Sequence, residues 1–245
     1  MSLERYGETL TVAVFGASGG IGAAFVDALA GDPAVAIVHA FSRAPQPSAG
    51  KVIGLQCDPL DEADLARAGE AIRASGPLAL AVSAIGTLHG EGYDPEKAFR
   101  QLNAEAFTEV MRVNALAPAL VAKHCAPLLP KDRPAAIGLL SARVGSISDN
   151  RLGGWHSYRA SKAALNMLIR GLSIELRRTH EQAAVIGLHP GTVDTALSKP
   201  FQRGVPDGKL FTPERSVGGM LDVLARATPE MSGGVFDYAG ERVPA

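Results

Sequence analysis

The sequence predicts an α/β protein, a doubly wound parallel sheet of about seven strands with helices on both faces, in a single domain over residues 1–245. Three observations predict it. Short, uninterrupted apolar runs alternate with longer helical stretches, the pattern of parallel strands buried on both faces. The first run feeds directly into a glycine-rich turn and then a helix. Finally, 245 residues with 47% apolar and 20% charged composition suffice for one large core.

The apolar runs place strands at 10–15, 35–41, 52–56, 78–84, 135–140, 183–188 and 234–238. Helical patterns follow the glycine turn to about residue 30, fill about 95–129 with a break near 102–105, and cover about 155–179. Right-handed crossovers then put helices on each side of the sheet. The segment 42–50, rich in Pro and Ala, reads as a loop. Residues 197–213, rich in Gly, Pro and basic residues, read as a substrate lid. No internal repeat interrupts this order.

Composition excludes several classes. A net charge of −1 gives no electrostatic case for nucleic acid or an anionic membrane. No apolar run approaches the roughly 18 residues of a spanning helix, and the polar start lacks a secretory stretch, so a cytoplasmic protein is expected. Cys57 and Cys125 stand far apart in sequence, which excludes a zinc pattern and fits reduced, buried thiols. His89, His156 and His189 have no ligand spacing, so no metal is expected. His189, before Pro190, reads as structural; His156 is a candidate for the pocket mouth. Arg143 reads equally as a surface residue or a substrate contact. Ser161 lacks the G-x-S-x-G elbow of a hydrolase nucleophile.

The turn Gly16-Ala17-Ser18-Gly19-Gly20-Ile21-Gly22 spaces its glycines as G-x-x-x-G-x-G. Glycines there let the chain turn sharply and approach a pyrophosphate, which meets the free N–H groups and positive dipole of the helix that follows. A structural strand–helix turn is the plainer alternative. At the end of the second strand, a carboxylate would bond an adenosine ribose and repel a 2′-phosphate. This chain has Ser42-Arg43, and arginine forks two bonds to phosphate, so NADP(H) is favoured over NAD(H). Tyr158 and Lys162 lie four residues apart in a helical context, hence on one face. A neighbouring cation should lower the Tyr158 pKa and suit it to deliver a proton to a carbonyl oxygen.

These pieces, with Asp58 after strand three, Asn114 in the long helical stretch, the serine-bearing end of strand five and Pro190-Gly191-Thr192-Val193-Asp194-Thr195, give the chain its resemblance to the short-chain dehydrogenases/reductases along nearly its whole length. Residues 144–150, Gly153-Gly154-Trp155, 158–166 and 236–241 resemble the C-factor-like and sniffer-like carbonyl reductase subgroup. The resemblance implies a Rossmann-type fold and NADP(H)-dependent interconversion of a ketone or aldehyde and an alcohol. It implies Tyr158 as acid/base, Lys162 on the nicotinamide ribose, and Asn114 holding a water beside Lys162. Gly16, Ser18, Gly20, Ile21 and Gly22 would contact the dinucleotide, and Asp58 its adenine unless Asp58 merely forms a turn before Pro59. Gly86 would pass the adenosine side; Pro190, Gly191, Val193 and Thr195 would face the nicotinamide. It also implies a homodimer or homotetramer, paired through helices near 104–128 and 155–179.

Two departures stand out. The family's paired serines at the end of strand five read Ser141-Ala142 here, with Ala142 in the catalytic place. Either a bulge re-aims Ser141, or Ser146 folds in, or the hydroxyl is absent. The family's N-N-A-G reads Ser83-Ala84-Ile85-Gly86. A regulatory NADP(H)-binding protein with weak turnover is the alternative that Ala142 supports. Epimerisation or dehydration on the same scaffold is another.

Overall fold

A computed structural model describes residues 3–245. Its main sheet has seven parallel strands: β1 (Leu10–Phe15), β2 (Val35–Ser42), β3 (Val52–Gln56), β4 (Leu78–Ser83), β5 (Ala135–Leu140), β6 (Ala183–His189) and, at the far edge, β9 (Val235–Asp237). The order β3-β2-β1-β4-β5-β6-β9 reverses between β1 and β4. A crevice therefore opens past the carboxyl ends of these two strands, where doubly wound folds hold their ligands.

The helices are α1 (Gly20–Gly31), α2 (Glu62–Ala74), α3 (Ala104–Met111), α4 (Ala117–Cys125), α5 (His156–Leu176) and α6 (Pro213–Ala225). Alternate strand residues serve opposite faces. Val12 and Val14 pack with Phe25 and Leu29 of α1 and with Val217 and Met220 of α6. Ala13 and Phe15 pack with Leu65 and Ile72 of α2, Val121 of α4, and Leu165 and Ile169 of α5. Strands β1, β4 and β5 are buried throughout, which is why their sequences run apolar without alternation.

Several elements refine the sequence expectations. α2, which the apolar pattern did not delimit, begins where the Asp61 carboxylate accepts from the Ala63 and Asp64 amides. α6 opens on Pro213, with the Thr212 hydroxyl accepting from the Arg215 amide. The expected long helix over 95–129 starts only at Ala104, because Asn103 caps it by accepting from the Ala106 amide. It then passes through a π-helical turn, Arg112–Leu116, into α4. The lid stretch is tied at both ends: Thr192–Val193 (β7) pairs in parallel with Leu210–Phe211 (β8). Among the described residues no helix is long and apolar enough to cross a membrane.

Candidate active site

The glycine turn follows β1 at the crevice. Gly16 has φ +84°, and a Cβ there would stand 2.9 Å from the Ala84 carbonyl oxygen. A Cβ on Gly22 would lie 2.0 Å from the Gly16 oxygen, so only glycine lets α1 start this close to the turn. Gly19, the residue before α1, offers no side-chain cap, so the first-turn amides of Gly20, Ile21 and Gly22 lack one. Gly20 lies under Thr195, whose Cγ2 would be 2.9 Å from an added Cβ. The 190–195 segment thus reaches over the turn. Gly191 has φ +76°, the Pro190 carbonyl accepts from the Ser216 hydroxyl at 2.7 Å, and Val193 is buried.

A cleft of about 670 Å³ runs from this turn past the ends of β2 and β3. Ser18, Ser42, Arg43, Asp58 and Gly86 line it. Arg43 is exposed, and its carbonyl accepts from the Gln56 amide at 2.9 Å. The Ser42 hydroxyl donates to the Ala44 carbonyl. Asp58 does form a turn: its Oδ1 accepts from the Leu60 amide at 2.9 Å.

Tyr158 sits in the first turn of α5, with Lys162 one turn on. The Lys162 Nζ stands 5.8 Å from the Tyr158 ring centroid and donates to the Leu140 carbonyl at 2.9 Å. Asn114, in the π-helical turn, is fully buried. Its Oδ1 accepts from the Thr87 amide at 2.7 Å, and its Nδ2 donates to the Thr87 carbonyl at 2.8 Å and to the Ser161 hydroxyl oxygen at 3.1 Å. Ser161 in turn donates to the Tyr158 carbonyl at 2.8 Å. Gly86 lies against this group; a Cβ there would be 3.5 Å from Asn114 Oδ1 and 3.6 Å from Lys162 Nζ. The fold therefore joins Gly86, Asn114, Tyr158 and Lys162 at one end of the crevice.

Electrostatics here correct the sequence expectation. Burial pushes the Tyr158 phenol up to about 12, and no lowering by Lys162 competes with it. Burial also pulls the Lys162 amine down to about 7. Desolvation penalises both charged forms, and with Nζ turned to the Leu140 carbonyl the cation does not offset the cost at the phenol.

Neither serine near β5 offers a free hydroxyl. Ser141 donates to Asn166 Oδ1 at 2.6 Å, and Ser146 donates to the Ala245 carbonyl at 3.3 Å. Ala142 is buried between them in sequence. Arg143 pairs with Asp149 at 2.8 Å on the surface. His156 meets the exposed Phe99 ring edge-on at 5.2 Å. Burial pulls His189 down to about 4, which keeps it neutral and structural.

Two aromatic residues, Trp155 and Phe201, escaped the sequence reading of the pocket. The Trp155 ring meets the Tyr158 ring edge-on at 6.2 Å between centroids. Phe201, from the tied loop, packs on Trp155 at 5.4 Å and on His89 at 5.7 Å. Trp155 holds a left-handed conformation, φ +51°, immediately before α5. Glu96 was missed too. Its carbonyl accepts from the Trp155 amide at 2.5 Å, and its buried carboxylate accepts from the Ser157 amide at 3.1 Å and from the Ser157 hydroxyl.

A phenol and a buried amine one helical turn apart, beside a glycine turn at the switch point of a parallel sheet, define a doubly wound oxidoreductase of the short-chain class. The chain belongs to the short chain dehydrogenase family, whose model matches residues 10–205. It is 41% identical over 132 residues to the C-signal protein of Myxococcus xanthus, covering 54% of this chain and 74% of that one. It is 36% identical over 132 residues to 1-hydroxy-2-glutathionyl-2-methyl-3-butene dehydrogenase of a Rhodococcus strain, and there it spans only 55% of the relative's length. Among solved structures, NADPH-bound carbonyl reductase from chicken fatty liver superposes with a TM-score of 0.82 at 27% identity, over 97% of this chain and 100% of that one. The carbonyl reductase Sniffer of D. melanogaster gives the same TM-score, 0.82, over 97% of this chain and 99% of that one; its 21% identity speaks to the fold alone.

Proposed function

We propose that this protein is an NADP(H)-dependent oxidoreductase that interconverts a small ketone or aldehyde and its alcohol, with Tyr158 as acid/base. The observation that carries this reading is the half-buried Tyr158 phenol, one helical turn from the buried Lys162 amine and 5.8 Å from it at the ring centroid.

The residues present fit a dinucleotide. The first amides of α1 have no side-chain cap, Gly16, Gly19, Gly20 and Gly22 put no Cβ in the way of a pyrophosphate, and the cleft of about 670 Å³ is of ligand size. Arg43 at the cleft edge suits a 2′-phosphate. The similar structures from chicken fatty liver and Burkholderia multivorans are described with NADPH and NADP bound, both at 27% identity, which supports the same choice here. Gly16, Ser18, Gly20, Ile21 and Gly22 would hold the pyrophosphate side, Asp58 the adenosine side, and Pro190, Gly191, Val193 and Thr195 the nicotinamide; Gly86, expected on the adenosine side, lies instead against Asn114 and Lys162. Bound NADPH would supply a hydride to the carbonyl carbon.

This chain's own groups do the rest. Tyr158, pushed up to about 12, keeps its proton at neutral pH and can give it to the carbonyl oxygen. Lys162, lowered to about 7, exchanges a proton readily and can bond a ribose hydroxyl. Asn114 holds the Thr87 backbone and Ser161 together, fixing the floor beneath both.

Leu116, Met167 and Ile174 are exposed apolar residues on the π turn and α5. They support pairing of two or four copies through these helices. A second reading, a dinucleotide-binding regulator with weak turnover, draws on the Ser141 hydroxyl being engaged by Asn166 and on the similarity to C-signal. One experiment separates the two: NADPH consumption on butanone, diacetyl and benzaldehyde by wild type and Tyr158→Phe. The enzyme reading expects turnover that falls at least about 10²-fold in the variant. Equal, slow consumption by both leaves only the regulator.

A further inference from the structure

The serine expected to polarise a carbonyl is absent: Ala142 occupies its place, and the neighbouring hydroxyls of Ser141 and Ser146 donate to Asn166 and to the Ala245 carbonyl. A carbonyl oxygen that becomes an alkoxide needs a second donor beside the Tyr158 phenol. Resting on the carbonyl reading above, we propose that the His89 ring supplies it, its Nε2–H donating to the substrate oxygen.

His89 follows β4 and lines the crevice. Its Nε2 is buried with no hydrogen-bond partner. Among the described residues four other buried side-chain atoms lack a partner, on His39, Ser83, His180 and His189, and none of those residues lines the crevice. An orphaned polar nitrogen in a packed site costs free energy unless a ligand completes it. Its position is also fixed from behind. The His89 carbonyl accepts from the Thr87 hydroxyl at 3.1 Å, and that hydroxyl shares a 2.8 Å bond with the Tyr93 hydroxyl. The Thr87 backbone is held on both sides by Asn114, which continues to Ser161 on the catalytic helix. The His89 ring meets Phe201, and Phe201 meets Trp155, which meets the Tyr158 ring. Phe201 and Trp155 thus link the His89 ring to the Tyr158 ring through successive ring contacts of 5.7, 5.4 and 6.2 Å.

The step balances without a new reagent. NADPH would give up the hydride that forms the new C–H bond and leave as NADP+, the Tyr158 O–H breaks as its proton moves to the substrate oxygen, and His89 keeps its proton throughout. Histidine is a donor at Nε2 in the neutral Nε2–H tautomer and in the protonated ring alike.

The test uses the full chain with NADPH and whichever of butanone, diacetyl and benzaldehyde the wild type reduces fastest. Trp155 is the sole tryptophan, so its emission reports NADPH binding in each variant. His89→Ala should lower kcat about 10²-fold, with NADPH affinity within about twofold and KM within about threefold of wild type. His89→Gln, which keeps a donor near the same point, should recover most of the loss. Adding Ala142→Ser to His89→Ala should raise kcat again by about tenfold or more, because it restores a hydroxyl from the other wall. A His89→Ala protein with unchanged kcat overturns the assignment. So does a loss matched by weakened NADPH binding, or one that neither Gln nor the added serine repairs, since each marks His89 as a wall of the pocket only. A wild type that binds NADPH yet reduces none of the three carbonyls overturns the carbonyl reading, and this assignment with it.

Discussion

At the scale of single residues, the crevice depends on side chains whose neighbours have been arranged around them. Arg43 stands exposed at the cleft edge, with its carbonyl held by Gln56. A charge-assisted fork to a 2′-phosphate contributes about 1.5–3 kcal/mol. Arg43→Ala should therefore weaken NADPH binding by about 10–100-fold while leaving NADH within about twofold. Titration of Trp155 emission with each dinucleotide reads both constants, and an unchanged NADPH preference would rule Arg43 out as the discriminator. Tyr158 and Lys162 were legible because their spacing alone puts them on one helix face. Their protonation was not. The sequence suggests a cation lowering a phenol, whereas burial raises the phenol and lowers the amine. Burial is a property of the folded neighbourhood and has no signature in a four-residue spacing.

Elements were readable to the degree that their signal is local. All seven strands of the main sheet stand within about two residues of the apolar runs; for β1, β4 and β5 this is because a strand buried on both faces must be apolar at every position. α2 was not delimited: its buried set is only Leu65, Ala68 and Ile72, too sparse for a clear period. The π-helical turn at 112–116 follows from Asn114 reaching Thr87 and Ser161 across the crevice, a contact between distant segments. The start of α5 has the same origin. Trp155 precedes it in a left-handed conformation with no side-chain cap, and Glu96, 61 positions before Ser157, satisfies the first turn instead. Burial alone would raise the Glu96 carboxyl, but hydrogen bonds from the Ser157 hydroxyl and backbone amides override it and hold the group below the usual carboxylate range. Glu96→Ala should leave the Ser157 amide and hydroxyl without an acceptor and cost about 2 kcal/mol of stability. It should also shift Trp155 emission, since Trp155 is tethered to the Glu96 carbonyl. Chemical denaturation followed at Trp155 measures both; wild-type stability in the variant would show that water caps the helix equally well.

For the whole molecule, the topology concentrates chemistry where strand order reverses, and the same packing buries two titratable groups. Lys162 is 2% exposed, between β5 and the crevice floor. Its amine falls from 10.5 unfolded to about 7 folded. Between these values the unfolded chain binds a proton that the folded chain does not, so stability rises with pH across that window. Below about 7 both states carry the charge and Lys162 contributes no slope. Tyr158 acts in the opposite sense and higher up, moving from 10.0 to about 12. The folded phenol keeps its proton where the unfolded one has lost it, so stability declines from about pH 10 onward. The clean window is therefore pH 7 to 9. Without dinucleotide, wild type should gain roughly 2 kcal/mol relative to Lys162→Met across it, on the scale of about 1.4 kcal/mol per pH unit for one fully displaced proton. Urea midpoints of both proteins at the two pH values give the difference, and titrations common to both cancel. Parallel pH dependences in the two proteins would mean that the amine is charged in the fold, with water or an anion reaching the crevice floor beside Leu140.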